Sequence, residues 1–153
     1  MIDDLYSTKI LKLAADLPHA GRLADPDASS TKVSKLCGST ITVDLKLTDG
    51  VVSDFAQDVR ACALGQAAAA VLGEHVLGAT PEEIAVARDA LRDMLKLDGP
   101  APAGRFSELS VLAPVKDYPA RHASTLLAFE AAAEAARTAR ESLQQRTSRA
   151  GAA

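Results

Sequence analysis

Thr40-Ile41-Thr42-Val43-Asp44-Leu45-Lys46-Leu47-Thr48-Asp49-Gly50-Val51 is the stretch that decides the fold. Ile41, Val43, Leu45 and Leu47 alternate with more polar residues, the period of a strand with one buried face. Thr48-Asp49-Gly50 reads as a turn, and Val51 through Val59 as the returning strand. A two-residue Asp49-Gly50 turn would set the apolar face opposite Asp58, Ala56, Asp54 and Val52. A three-residue loop with Gly50 left-handed pairs Leu47 with Val51 and Val43 with Phe55 instead. The three-residue register is expected, because it keeps apolar against apolar and a one-residue slip flips every side chain. It sets Cys37 opposite Ala61, the neighbour of Cys62. The two cysteines of the chain are then expected to meet at the open end of the hairpin, with Cα atoms within about 5–8 Å.

Outward from the hairpin, residues 3–17 read as an amphipathic helix carrying Leu5, Ile10, Leu13 and Leu17. Residues 18–35, with Pro18, Gly21 and Pro26, read as an extended loop or ragged strand. From Cys62 the period changes, and Ala63 to Leu77 reads as a small-residue helix ended by Gly78. Thr80-Pro81-Glu82-Glu83 is a capping box with proline in the first turn, opening a helix that stops near Asp98-Gly99-Pro100. Phe106 to Val115 has no clear assignment. Pro119 opens a last helix through about Leu143. One domain over residues 1–145 is expected, with 146–153 a disordered tail. Strands followed by helices argue an α+β domain, a small antiparallel sheet with helices packed on one face.

Composition narrows the function. A chain of 153 residues with 48% apolar and 24% charged residues is ordinary for a globular domain. A net charge of −3 and only 3% aromatics argue against a nucleic-acid partner. The Met-Ile-Asp-Asp start lacks a basic, apolar leader and no run is long enough to span a membrane, so a cytoplasmic location is expected. In a reducing cytoplasm two cysteines point to free thiols or metal ligation before a disulfide.

Cys62 sits where strand gives way to helix, where backbone N–H groups lower a thiol's pKa. Cys37 precedes Gly38, which allows a tight turn beside whatever the thiol holds. The plainer reading is that both are small buried hydrophobes. Two thiolates do not complete a tetrahedral zinc site. The candidates for further ligands are His122 and Ser124, at the start of the last helix. Asp44, Asp54 and Asp58 read as a solvated hairpin face, and His19 and His75 as structural.

Leu36-Cys37-Gly38-Ser39, Arg60-Ala61-Cys62-Ala63-Leu64-Gly65-Gln66-Ala67 and Tyr118-Pro119-Ala120-Arg121-His122-Ala123-Ser124-Thr125 together carry a resemblance. From about Tyr6 to Ala136 the chain resembles the U-type iron–sulfur cluster scaffold family: IscU, SufU and the N-terminal domain of NifU. The Tyr-Pro-Ala-Arg motif and the long spacing from Cys62 are similar to the SufU branch. The chain also departs from the family. The family's aspartate after Cys-Gly is Ser39, its third cysteine aligns with Ser124, and the slot of the IscU histidine holds Ala123, one residue after His122.

The resemblance implies a scaffold in iron–sulfur assembly. Cys37 and Cys62 would take sulfur from a cysteine desulfurase, among other assembly proteins, and hold a labile [2Fe–2S] cluster or Zn²⁺. His122 would be a further metal ligand and Arg121 a cation beside the thiolate. A zinc-dependent sulfurtransferase-type acceptor with Cys62 as nucleophile, and a diverged metal-free interaction module on the same fold, are the alternatives.

Overall fold

The alternation in the hairpin does make two strands, and a third joins them. The computed structural model describes residues 6–36 and 38–152, with side chains as far as Ser148. Helix α1 (Thr8–Ala15) precedes strands β1 (Ala28–Ser34), β2 (Ser39–Thr48) and β3 (Val51–Arg60). Helices α2 (Ala63–His75) and α3 (Pro81–Lys96) follow, then 3-10 turns over Gly104–Asp117 and Pro119–Arg121, then α4 (His122–Ala152). The strands form an antiparallel sheet in the order β1-β2-β3. Helix α4 packs on β1 and β2, and α2 packs on β3, α1 and α4. The α+β class, with a small antiparallel sheet and helices against it, is the architecture of the chain.

The hairpin register differs from expectation. Thr48 pairs with Val51 and Leu47 with Val52 across a two-residue turn, in which Asp49 (φ 54°) and Gly50 (φ 81°) are both left-handed. That is the turn type whose twist matches the flanking strands. A bulge between Lys46 and Leu47 then leaves Ser53 unpaired and shifts the ladder, so that Leu45 faces Phe55 and Ile41 faces Val59. Apolar still meets apolar, through a bulge rather than a longer loop.

Other boundaries moved for local reasons. Of residues 18–35, expected as an extended loop or ragged strand, Ala28–Ser34 is the strand β1, paired along its whole length with β2. Residues 1–5 lie outside the described residues; α1 itself starts after Ser7, whose hydroxyl accepts from the Ile10 N–H. Thr80 and Glu83 form the expected reciprocal cap of α3. In Gly104–Asp117, Phe106, Leu109, Leu112 and Val115 are buried at intervals of three, the period of a 3-10 helix. Pro119–Arg121 makes one 3-10 turn, so α4 starts at His122 rather than at the proline. It continues to Ala152, and residues 146–152 are helical where a disordered tail was expected. Among the described residues no helix is long and apolar enough to cross a membrane.

Asp44 corrects the reading of the hairpin carboxylates. Asp54 is exposed, but Asp44 is fully buried. Its carboxylate accepts from Arg22 Nε at 2.6 Å and Nη2 at 3.1 Å, from the Leu23 N–H at 3.0 Å and from Ser29 Oγ at 2.5 Å. These bonds fasten the incoming segment 22–29 to the sheet. Burial alone would push the Asp44 carboxyl up; the Arg22, Ser29 and Leu23 donors outweigh it and hold it below the ordinary value.

A carboxyl held low in the folded state stabilises fully above the ordinary carboxylate range, near pH 4. That stability is lost as pH falls through the lowered folded-state value. Asp44→Asn is expected to cost about 1.5–3 kcal/mol at neutral pH, the range for bonds to a charged group. Urea unfolding of both proteins at neutral and acidic pH checks it: the gap in midpoints should narrow with acid.

Candidate functional site

Three segment starts converge at one end of the sheet. Cys62 is the cap residue of α2, in extended conformation directly after β3. Ser39 is the first residue of β2 and Ser124 lies in the first turn of α4. The Cys62 Sγ and Ser124 Oγ are 3.3 Å apart, and the Ser124 and Ser39 hydroxyls 3.0 Å apart. Both serines are essentially buried, at 0% and 1% exposure, while Cys62 is half-buried. A thiol therefore reaches solvent with a row of hydroxyls behind it.

Gly65 makes this convergence possible. A Cβ there would lie 2.8 Å from the Ala61 Cβ and 3.1 Å from both the carbonyl and the hydroxyl oxygen of Ser124. Only a residue without a side chain lets the first turn of α4 come this close to the first turn of α2. The Cys-Ala-Leu-Gly order was visible in the sequence, but its significance depends on a helix arriving from far along the chain.

Burial would push the Cys62 thiol up. The Ser124 hydroxyl, the Gly65 and Leu64 N–H groups and the Arg121 charge act the other way, and together they hold it below its ordinary value. The sulfur makes no regular cap bond to the helix; the hydroxyl is its defined partner. Arg121, in the turn before α4, takes the part of a nearby cation.

His122 is 6% exposed, and its Nε2 donates to the carbonyls of Val115 at 3.0 Å and Lys116 at 3.1 Å. That bond ties the 3-10 segment to α4. It fixes the ring tautomer and leaves only Nδ1 as an acceptor, so the candidate ligand role can run through Nδ1 alone. Cys37 lies outside the described residues, and so does its expected meeting with Cys62; the following Gly38 is left-handed (φ 67°). Ser34, which carries no motif signal, is 4% exposed and its hydroxyl has no partner among the described residues. The described donors beside Ser124 are one thiol and neutral hydroxyls, which by themselves supply one of the four ligands that a zinc shell takes.

The NifU-like N terminal domain family matches residues 5–125. The chain belongs to this family. The iron–sulfur cluster assembly scaffold protein IscU of Thermotoga maritima is 30% identical over 131 residues, 86% of this chain and 92% of that protein. A nitrogen-fixing NifU-like protein (N-terminal) from Brucella abortus has a solved structure with TM-score 0.89 and 55% identity, covering 92% of this chain and 97% of that one. The FiSufU structure of Fervidobacterium islandicum AW-1 shares the fold at TM-score 0.80 and 20% identity, over 88% of this chain and 98% of that one. The family is thus the iron–sulfur cluster scaffold family that the cysteine motifs resemble.

Ser124→Ala removes the defined partner of the sulfur. The Cys62 pKa should rise, and alkylation by iodoacetamide near neutral pH should slow several-fold in a Cys37→Ala background, where Cys62 is the sole thiol. The pH profile of alkylation checks it: the midpoint should move upward with the rate plateau at high pH unchanged.

Proposed function

We propose that the chain is an iron–sulfur assembly protein of the SufU branch that works at the sulfur-accepting step. Cys62 takes sulfur from the persulfide of a cysteine desulfurase. Its thiolate attacks the terminal sulfur, a new S–S bond forms on Cys62, and the bond to the desulfurase cysteine breaks. The electron pair leaves on that cysteine, and the proton of the persulfide stays with the transferred sulfur. Cys37 and Cys62 then hold the sulfur with iron, and a labile [2Fe–2S] unit is the cargo. In this reading the protein acts in the cytoplasm, beside other assembly proteins.

The observation that carries this reading is the 3.3 Å contact between the Cys62 sulfur and the Ser124 hydroxyl. A hydroxyl in the place of the family's third thiol supports a thiolate without competing for the incoming sulfur. Ser39 and Arg121 support it further: one hydroxyl bonds Ser124, and one cation favours the anion. The relation to the Thermotoga maritima scaffold protein favours cluster building over a free-standing sulfurtransferase.

The deciding experiment is incubation with a cysteine desulfurase and cysteine, followed by mass spectrometry of the intact chain. Wild type should gain the mass of one sulfur atom or more, and Cys62→Ala should lose the gain on that site. An unmodified wild type would overturn the reading.

Ser124→Cys restores a soft ligand at the family's third position. After anaerobic reconstitution with iron and sulfide, the variant should keep its cluster absorbance several-fold longer under a chelator than wild type, since cluster iron prefers thiolate. Equal or shorter retention would mean that position 124 does not face the cargo.

A further inference from the structure

The buried hydroxyls at this end of the sheet outnumber what the fold uses. Ser34 and Ser39 are register partners across β1 and β2. Partners in an antiparallel pair project on the same face, with Cβ atoms about 4.5–5.5 Å apart. Ser39 bonds Ser124, and Ser124 bonds Cys62. The hydroxyl of Ser34 is buried and has no partner among the described residues. A buried polar group without a partner is rare and calls for an explanation; among the described residues Gln57 Oε1 is the other side-chain case. Ser30, two pleats back on the same strand and face, is bonded instead to Glu134. So, among the described residues of β1, the missing partner lies at the end whose register partner, Ser39, bonds Ser124.

The geometry points to a hydroxyl cradle, Ser34, Ser39 and Ser124, that receives the outer sulfur of a persulfide on Cys62. This rests on the sulfur-accepting role proposed above and names the species the site is built to keep, a sulfane sulfur. The added atom lies about 2.05 Å beyond Sγ. It is a large acceptor with several lone pairs, and hydroxyl protons can turn to meet it. Ser124 holds the inner sulfur, Ser39 orders Ser124, and Ser34 supplies a proton with no other acceptor. Hydroxyls hold such a sulfur without binding soft metals strongly, which agrees with the loss of the third thiol at position 124.

The test uses the full chain in a Cys37→Ala background, loaded with sodium tetrasulfide. The Cys62 thiolate attacks a terminal sulfur of the tetrasulfide, the Cys62 S–S bond forms, the bond to the next sulfur breaks, and trisulfide leaves with the electron pair. After desalting, persulfide is followed by cyanolysis and by mass. Ser34→Ala and Ser39→Ala should each shorten its half-life at least three-fold, while Ser30→Ala leaves it unchanged. Thermal unfolding of each variant accompanies the assay. Equal half-lives in all four proteins would overturn the cradle, and so would an equal loss in Ser30→Ala, which would mark general loosening. The sulfur-accepting role is judged separately, by loading from a desulfurase. Serine-dependent lifetimes without desulfurase loading would keep the cradle and remove that partner.

Discussion

The close approach of α2 and α4 is the constraint on which the rest depends. Gly65 lets the two helix starts touch, and the packing behind it is made of small residues. Ala67, Ala68, Ala69 and Ala70 on α2, and Ala131, Ala132, Ala135, Ala136 and Ala139 on α4, are all fully buried. Helices that present alanine come closer than helices that present leucine, and there is little room between them for large rings. Of the phenylalanines, Phe129 lies on α4 and meets Phe106 edge to face at 5.3 Å.

The sheet meets its own constraint by a different device. The Asp49-Gly50 pair favours a two-residue turn, while the apolar faces need a register one step further along. The bulge at Ser53 satisfies both. Its trace is present in the sequence as Val52-Ser53-Asp54-Phe55, two polar residues in succession where alternation would allow one. Apolar pairing weighed above the turn chemistry points to the longer loop; the broken alternation places the extra residue in the strand instead.

What could be read in advance was what depends on short-range chemistry. The hairpin, the capping box at Thr80, the helix start at Cys62 and the Cys62–Ser124 juxtaposition follow from periods, caps and motif residues. The buried Asp44, the 3-10 period of Phe106 to Val115 and the carbonyl bonds of His122 escaped. Asp44 looks like its exposed neighbour Asp54 until Arg22 folds back over it. The Nε2 bonds of His122 to Val115 and Lys116 depend on the 3-10 segment folding against α4, and they narrow its candidate ligand atom to Nδ1. Ser34 gives no local signal at all, because its place is set by pairing with a strand beyond the turn.

The contact between Cys62 and Ser124 has a consequence under air. Two thiols at such a separation need only a small shift to oxidise to a disulfide, and each can climb the ladder of sulfur oxides. A hydroxyl does neither. With serine as its neighbour at 3.3 Å, Cys62 has a partner that cannot cross-link it. The chain has no soft ligand at position 124, and in exchange that contact cannot close into a disulfide.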